Sequence, residues 1–175
     1  MTAADPVLTL AVYGRPAPQG SKRAFINKHT GRAQMTEQSP LVGAWRDTVR
    51  TTAIQELAGL EGFPLDGPIV ATFVFSMPKP GSIPRDRLGR PSVAPDVSKL
   101  ARSTEDALQD AGVLRDDALI VEYVRLAKVY AGLGDPDALG TPGAVIRIWR
   151  LADIQLWGAP ATPAAPALFE PSALS

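Results

Sequence analysis

Asp96, Asp116 and Asp117 are the residues of this chain best placed for chemistry, because they bracket one short amphipathic stretch with carboxylates. Val97, Leu100, Ala101, Thr104, Ala107, Leu108 and Ala111 recur at helical spacing, which predicts a helix over about 98–111 with one core-facing stripe. Asp96 stands just ahead of it, and Asp116-Asp117 follow beyond Gly112, the expected C-cap. Such a helix is about 20 Å long. Its acidic ends meet only if the chain after Gly112 doubles back along it. Carboxylates held together unpaired repel, and a divalent cation is the usual remedy. Spacing alone leaves a second reading open, with Asp96 as a helix N-cap and Arg115-Asp116-Asp117 as a solvated turn. Oxygens of Asp96 and Asp117 sharing one ion at about 2.1 Å would mark a metal site, whereas separation beyond about 10 Å in a rigid monomer favours the cap and turn.

Composition restricts which metal and which partner fit. The chain has 175 residues, no cysteine and a single histidine, His29. Disulfides, thiol nucleophiles and cysteine-ligated zinc are excluded, and one chain has no multi-histidine site. Oxygen ligands favour Mg²⁺, with Mn²⁺ as a substitute. Formal net charge is zero, so any nucleic-acid role rests on local basic patches. No apolar run is long enough for a membrane span, and the first residues lack a signal pattern, so a cytoplasmic protein is expected.

Two such patches stand out. Arg15, Gln19, Ser21, Lys22, Arg23, Lys28 and Arg32 lie among small residues and glycines, a composition suited to phosphate contacts or to a mobile solvated loop. Arg85, Arg87 and Arg90 lie in a Pro/Gly-rich segment that runs straight into Asp96. Cations beside carboxylates bring a polyanion to the site and offset developing charge. Lys99, Arg102, Asp106 and Asp110 form the polar face of the 98–111 helix, read equally well as an exposed salt-bridged face. His29 reads as a loop residue, and Trp45, Trp149 and Trp157 as core or tail contacts.

The elements that must hold these residues follow from periodicity. Val7 to Tyr13 reads as a strand, and Arg15 to about Gln38 as a polar loop or irregular hairpin. Ser39-Pro40 reads as the start of a helix with the stripe Leu41, Trp45, Val49, Ala53 and Leu57. Ile69 to Phe75 suits a central strand, Pro78 to Ala94 a long exposed loop, and Leu119 to Tyr130 a long strand. After a turn-rich stretch, Ala144 to Arg150 alternates and is expected to close the sheet. The order argues an α/β fold: a single-layer mixed sheet with two main helices. Residues 1–151 form one domain, and the Ala/Pro-rich stretch 152–175 reads as a disordered tail.

Taken together, these residues resemble the RusA family of Holliday junction resolvases, endodeoxyribonucleases common in phages and prophages. The resemblance rests on Asp96-Val97-Ser98-Lys99-Leu100, Asp106-Ala107-Leu108, Ala111-Gly112 and Asp116-Asp117 in matching order and spacing. The opening Gly14-Arg15-Pro16-Ala17-Pro18-Gln19-Gly20-Ser21-Lys22-Arg23 is similar to the family's N-terminal basic loop, and the similarity covers about residues 7–150. It implies a homodimeric, Mg²⁺-dependent nuclease in a bacterial host cell, nicking four-way or branched DNA symmetrically in recombination and repair. Two sites related by a two-fold axis match a pseudo-symmetric junction. It further implies Asp96 and Asp117 as metal ligands with Asp116 adjacent, Arg102 in catalysis or DNA contact, and Arg15, Lys22, Arg23, Arg85, Arg87, Arg90 and Lys99 on DNA. The chain departs from the family at Ser98, where an aspartate is expected, which removes one negative charge from the site. Ser98, Asp106 and Glu122 are candidate auxiliary groups. Arginine at 102 stays protonated and acts only as an electrostatic clamp. A catalytically weak junction-binding protein is the alternative. An accessory role for the tail, through Ile154-Gln155-Leu156-Trp157 or Ala167-Leu168-Phe169, is a third.

Overall fold

The computed structural model describes residues 5–20, 41–82 and 89–154, together with the backbone of 23–26 and 33–36. Lys22, His29, Ser39, Pro40, Arg85, Arg87, the Arg23 side chain and the tail from 155 onward lie outside the described residues. Along the chain come β1 (Leu8–Tyr13), β2 (Arg23–Ile26), β3 (Ala33–Thr36), α1 (Leu41–Leu57), β4 (Ile69–Met77), α2 (Val97–Asp110), β5 (Ile120–Tyr130) and β6 (Gly143–Arg150). Single 3₁₀ turns precede β5 at Asp117–Leu119 and follow β6 at Leu151–Asp153.

All nine residues of β4 are buried, as its run of Ile, Val and Phe on both faces requires of an inner strand. The sheet order is β1-β6-β4-β5, with β4 and β5 parallel and the other two pairings antiparallel. The expected mixed α/β class is therefore observed, and β2 and β3 form a separate antiparallel ribbon. Both helices cover one face of the sheet. Trp45 and Val49 of α1 and Leu100 and Leu108 of α2 share a core with Leu10, Phe73, Phe75 and Ile146. The two helices are keyed together by Trp45, whose indole N–H donates to the Thr104 hydroxyl at 3.1 Å, while Thr104 in turn donates to the Leu100 carbonyl. A buried hydroxyl with both roles filled costs little to desolvate.

Two expectations are corrected. Leu41 was expected in the core stripe of the first helix, but it is exposed and Val42, three residues before Trp45, is buried in its place. The 144–150 strand was expected to alternate and close the sheet, yet β6 lies between β1 and β4, and its first four residues are all buried. The reason lies in residues 131–142, which fold over the face of the sheet opposite the helices. Asp137 pairs with Arg147 of β6 at 2.7 Å and with Arg125 of β5, Asp135 also pairs with Arg125, and the Leu139 N–H donates to the Ser76 hydroxyl. Arg125 and Arg147 both stand beside Thr72 of β4, so one ion-pair network spans three strands. Its hydrogen bonds hold the Asp135 carboxyl below the usual carboxylate range and the Arg125 guanidinium above its own.

Close approach at the start of β6 makes a direct test. A Cβ at Gly143 would lie 2.2 Å from the Val12 carbonyl oxygen, so Gly143→Ala must push β1 and β6 apart. A loss of about 1–3 kcal/mol is expected in urea unfolding. Gly43, on the exposed side of α1 with nothing within 4 Å, is the contrasting site. Gly43→Ala should add about 0.5–1 kcal/mol through reduced backbone entropy in the unfolded chain. Equal midpoints for the two variants would contradict this packing.

Candidate functional site

The site is built around the two ends of α2. At its N-terminal end, Lys128 of β5 donates to the carbonyls of Val93 (2.8 Å) and Pro95 (2.7 Å), fixing the chain just ahead of Asp96. The segment after β1 is strapped along the first turns of the helix. The Gln19 N–H donates to the Lys99 carbonyl at 2.9 Å, and the Ser103 hydroxyl donates to the Ala17 carbonyl at 2.7 Å. Arg15, Asp96 and Lys99, expected on separate grounds to act on a phosphate or metal, thereby line one cleft of about 360 Å³. Asp96 occupies the N-cap position, but its side chain makes no capping hydrogen bond and instead pairs with Lys99 at 3.2 Å.

At the C-terminal end, Gly112 takes a positive φ of 77°, the Val113 N–H reaches the Leu108 carbonyl and the Gly112 N–H reaches that of Gln109. This is a Schellman stop, with Leu108 and Val113 both in the core. The chain then pairs at Leu114 with Leu65, ahead of β4, and Arg115 pairs with Asp66 at 3.0 Å. Asp116 caps the 3₁₀ turn by accepting from the Ala118 N–H at 2.9 Å. The turn reading of Asp116 is therefore what the structure contains.

The acidic residues are not gathered within one chain. Asp117 lies near Glu105, which stands nine residues along α2 from Asp96, roughly 13 Å at about 1.5 Å per residue. The auxiliary candidates are engaged or remote: Asp106 pairs with Arg46 of α1 at 3.4 Å, and Glu122 stands on β5 beside Val70. Among the described residues, no group of three or more Asp, Glu, His or Cys side chains is placed to hold a metal ion. Arg90 pairs with Asp135 at 3.5 Å, away from Asp96, whereas Arg102 is exposed on α2 beside Glu105.

Glu105 is the group that sequence reasoning missed. It accepts a hydrogen bond from the Tyr123 hydroxyl and lies near Asp117, Asp106 and Arg102. Burial pushes its carboxyl above the ordinary value of 4.5, and the neighbouring aspartates add to the rise. Burial and the nearby Glu105 also hold the Tyr123 hydroxyl well above the usual tyrosine range. The Tyr123 ring packs edge-on to Phe73 at 5.1 Å, and its hydroxyl meets Glu105. In sequence, Glu105 follows the stripe residue Thr104 and carries no motif of its own; only the β5 partner distinguishes it.

Because the Glu105 carboxyl binds its proton more tightly folded than unfolded, it favours the folded state below its ordinary value of 4.5. That contribution is lost as pH rises through the higher folded value. Glu105→Gln keeps an acceptor for Tyr123 and removes the titration. The stability of Glu105→Gln relative to the parent should therefore increase from pH 4.5 upward and level off once Glu105 is ionised. Urea midpoints measured across that range check this, and a pH-independent difference would show that burial does not hold the proton.

No helix among the described residues is long and apolar enough to cross a membrane. No family model matches the chain, and no curated protein matches it either.

Proposed function

We propose that this protein is a structure-specific endodeoxyribonuclease acting on branched DNA, in the manner of the RusA family that its sequence resembles. The observation that carries the reading is the meeting of Arg15, Asp96 and Lys99 in one cleft at the N-terminal end of α2. The two cations come from segments some eighty residues apart, and both border the first carboxylate of the signature. In this reading Arg15 and Lys99 bind backbone phosphate and orient it beside Asp96. Arg102 lies one turn further along the helix and holds negative charge without exchanging a proton. Mg²⁺, or Mn²⁺ in its place, is the cation the family signature calls for, and a homodimer in the cytoplasm of a bacterial host of phage or prophage is the setting it implies.

The separation of Asp96 from Asp116 and Asp117, together with Ser98, favours a second reading of the same cleft. In it the protein binds junctions tightly and cuts them little or not at all. One assay distinguishes the two. A labelled four-way junction and a linear duplex of the same length are incubated with the full chain, with and without Mg²⁺ or Mn²⁺. Paired nicking of the junction alone, reduced at least about 100-fold in Asp96→Asn and Asp117→Asn, is expected for the nuclease. Salt-sensitive junction binding without cleavage supports the binding protein instead. In either case Arg15→Ala should weaken binding and lower the salt slope by about one ion. Parent-level nicking by both Asn variants would sink the nuclease assignment.

A further inference from the structure

The cleft at Asp96 does not end there. It continues into a second depression that shares Arg15, Met77, Ala94 and Pro95 with it and runs on to Val93, Lys128 and Tyr130. Together they form a groove across the C-terminal ends of the parallel strands β4 and β5, the edge at which open α/β sheets receive ligands. The floor is apolar: Ala17, Met77 and Tyr130 are all buried. Pro16, Pro18, Pro78, Pro80, Pro91 and Pro95 supply much of the walls. A proline wall has fixed φ angles and no N–H, so it offers rigid apolar contact and no backbone donors. Leu41 and Val93 stand on the rim as exposed hydrophobic residues, 46% and 64% exposed. The charges are on the rim as well, where Arg15, Lys99 and Lys128 outnumber the single carboxylate of Asp96.

An occupant that complements this groove is apolar in one part and anionic in another. A nucleotide has that character. A duplex does not offer it, because its base faces are stacked on one another and only their edges are open in the grooves. We propose that this groove takes an unpaired nucleotide of the DNA at a branch point, its base against the apolar floor and the Leu41 and Val93 rim and its phosphate beside Arg15 and Lys99. This inference rests on the branched-DNA reading above. It adds a preference for strands with free bases, since an unpaired base carries the smallest cost of leaving a stack. Base contact of this kind is tolerant of sequence, because every base has an apolar face.

The test compares strands that differ only in their bases. Fluorescence anisotropy of the full chain is measured with a single-stranded oligothymidine of roughly ten nucleotides and with an abasic strand of the same length. The base-bearing strand is expected to bind about tenfold more tightly at equal salt. In the double variant Leu41→Ser with Val93→Ser, both at exposed positions, that ratio should fall to within about threefold while the thermal midpoint is kept. Arg15→Ala should weaken both strands alike. Equal affinity for the two strands, or an unchanged ratio in the double variant, overturns the inference. If the four-way junction still binds in a salt-sensitive way under those outcomes, the branched-DNA reading survives alone. If no DNA binds, both fail.

Discussion

A parallel strand pair cannot be closed by a hairpin, so the chain that leaves β4 at Met77 must return to the far end of the sheet before β5 begins. Helix α2 makes that return, and its position is set at both ends. Lys128 of β5 holds the carbonyls just before Asp96, and the Leu65–Leu114 bridge holds the chain beyond the Schellman stop. Ile69 pairs with Ile120 and Met77 with Tyr130, so the two ends of α2 lie near opposite ends of β4. This one connection brings Arg15, Asp96 and Lys99 together, and it also keeps Asp116 and Asp117 away from them.

The charged residues follow from the same arrangement. On the outer side of the helical layer, Arg46 of α1 pairs with Asp106 and Asp110 of α2, which occupies two of the carboxylates that precede the turn. On the opposite face of the sheet, Arg125, Arg147, Asp135 and Asp137 fasten the 131–142 excursion over β4 and bury the start of β6 on both sides. What remains with room for a ligand near the signature is the groove at the C-terminal strand ends, where Arg15 has no ion-pair partner among the described residues. Surface ion pairs of the Arg46 type contribute little to stability by themselves. Their consequence here is to decide which carboxylates stay available.

Much of the architecture was legible because it is local. The stripe Leu100, Ala101, Thr104, Ala107 and Leu108 is buried as its spacing requires, Gly112 stops the helix, and Ile69 to Phe75 is an inner strand as its two-sided apolar run requires. Leu41 was misplaced because each four-residue step drifts about 40° around a helix, so a strict repeat leaves the buried face that Val42, Trp45, Val49 and Ala53 share. The place of β6 was illegible for a different reason. Its neighbours are β1, more than a hundred residues earlier, and β4, and the cover on its second face comes from an excursion whose carboxylates find their partners only in the folded chain.

The same division holds at the site. Residue types and spacing by themselves determined the order of the acidic residues from Asp96 to Asp117, the exclusion of cysteine and multi-histidine chemistry, and the basic character of the segment that begins at Arg15. These depend on composition and on helical periodicity, which neighbours along the chain fix. Only the tertiary structure decided that Arg15 and Lys99 share a cleft with Asp96, that Glu105 is half-buried against Tyr123, and that the two acidic ends of the helix remain apart. Each of these is a relation between elements far apart in the chain, and no local pattern encodes the distance between elements that only the folded sheet and its helices bring side by side.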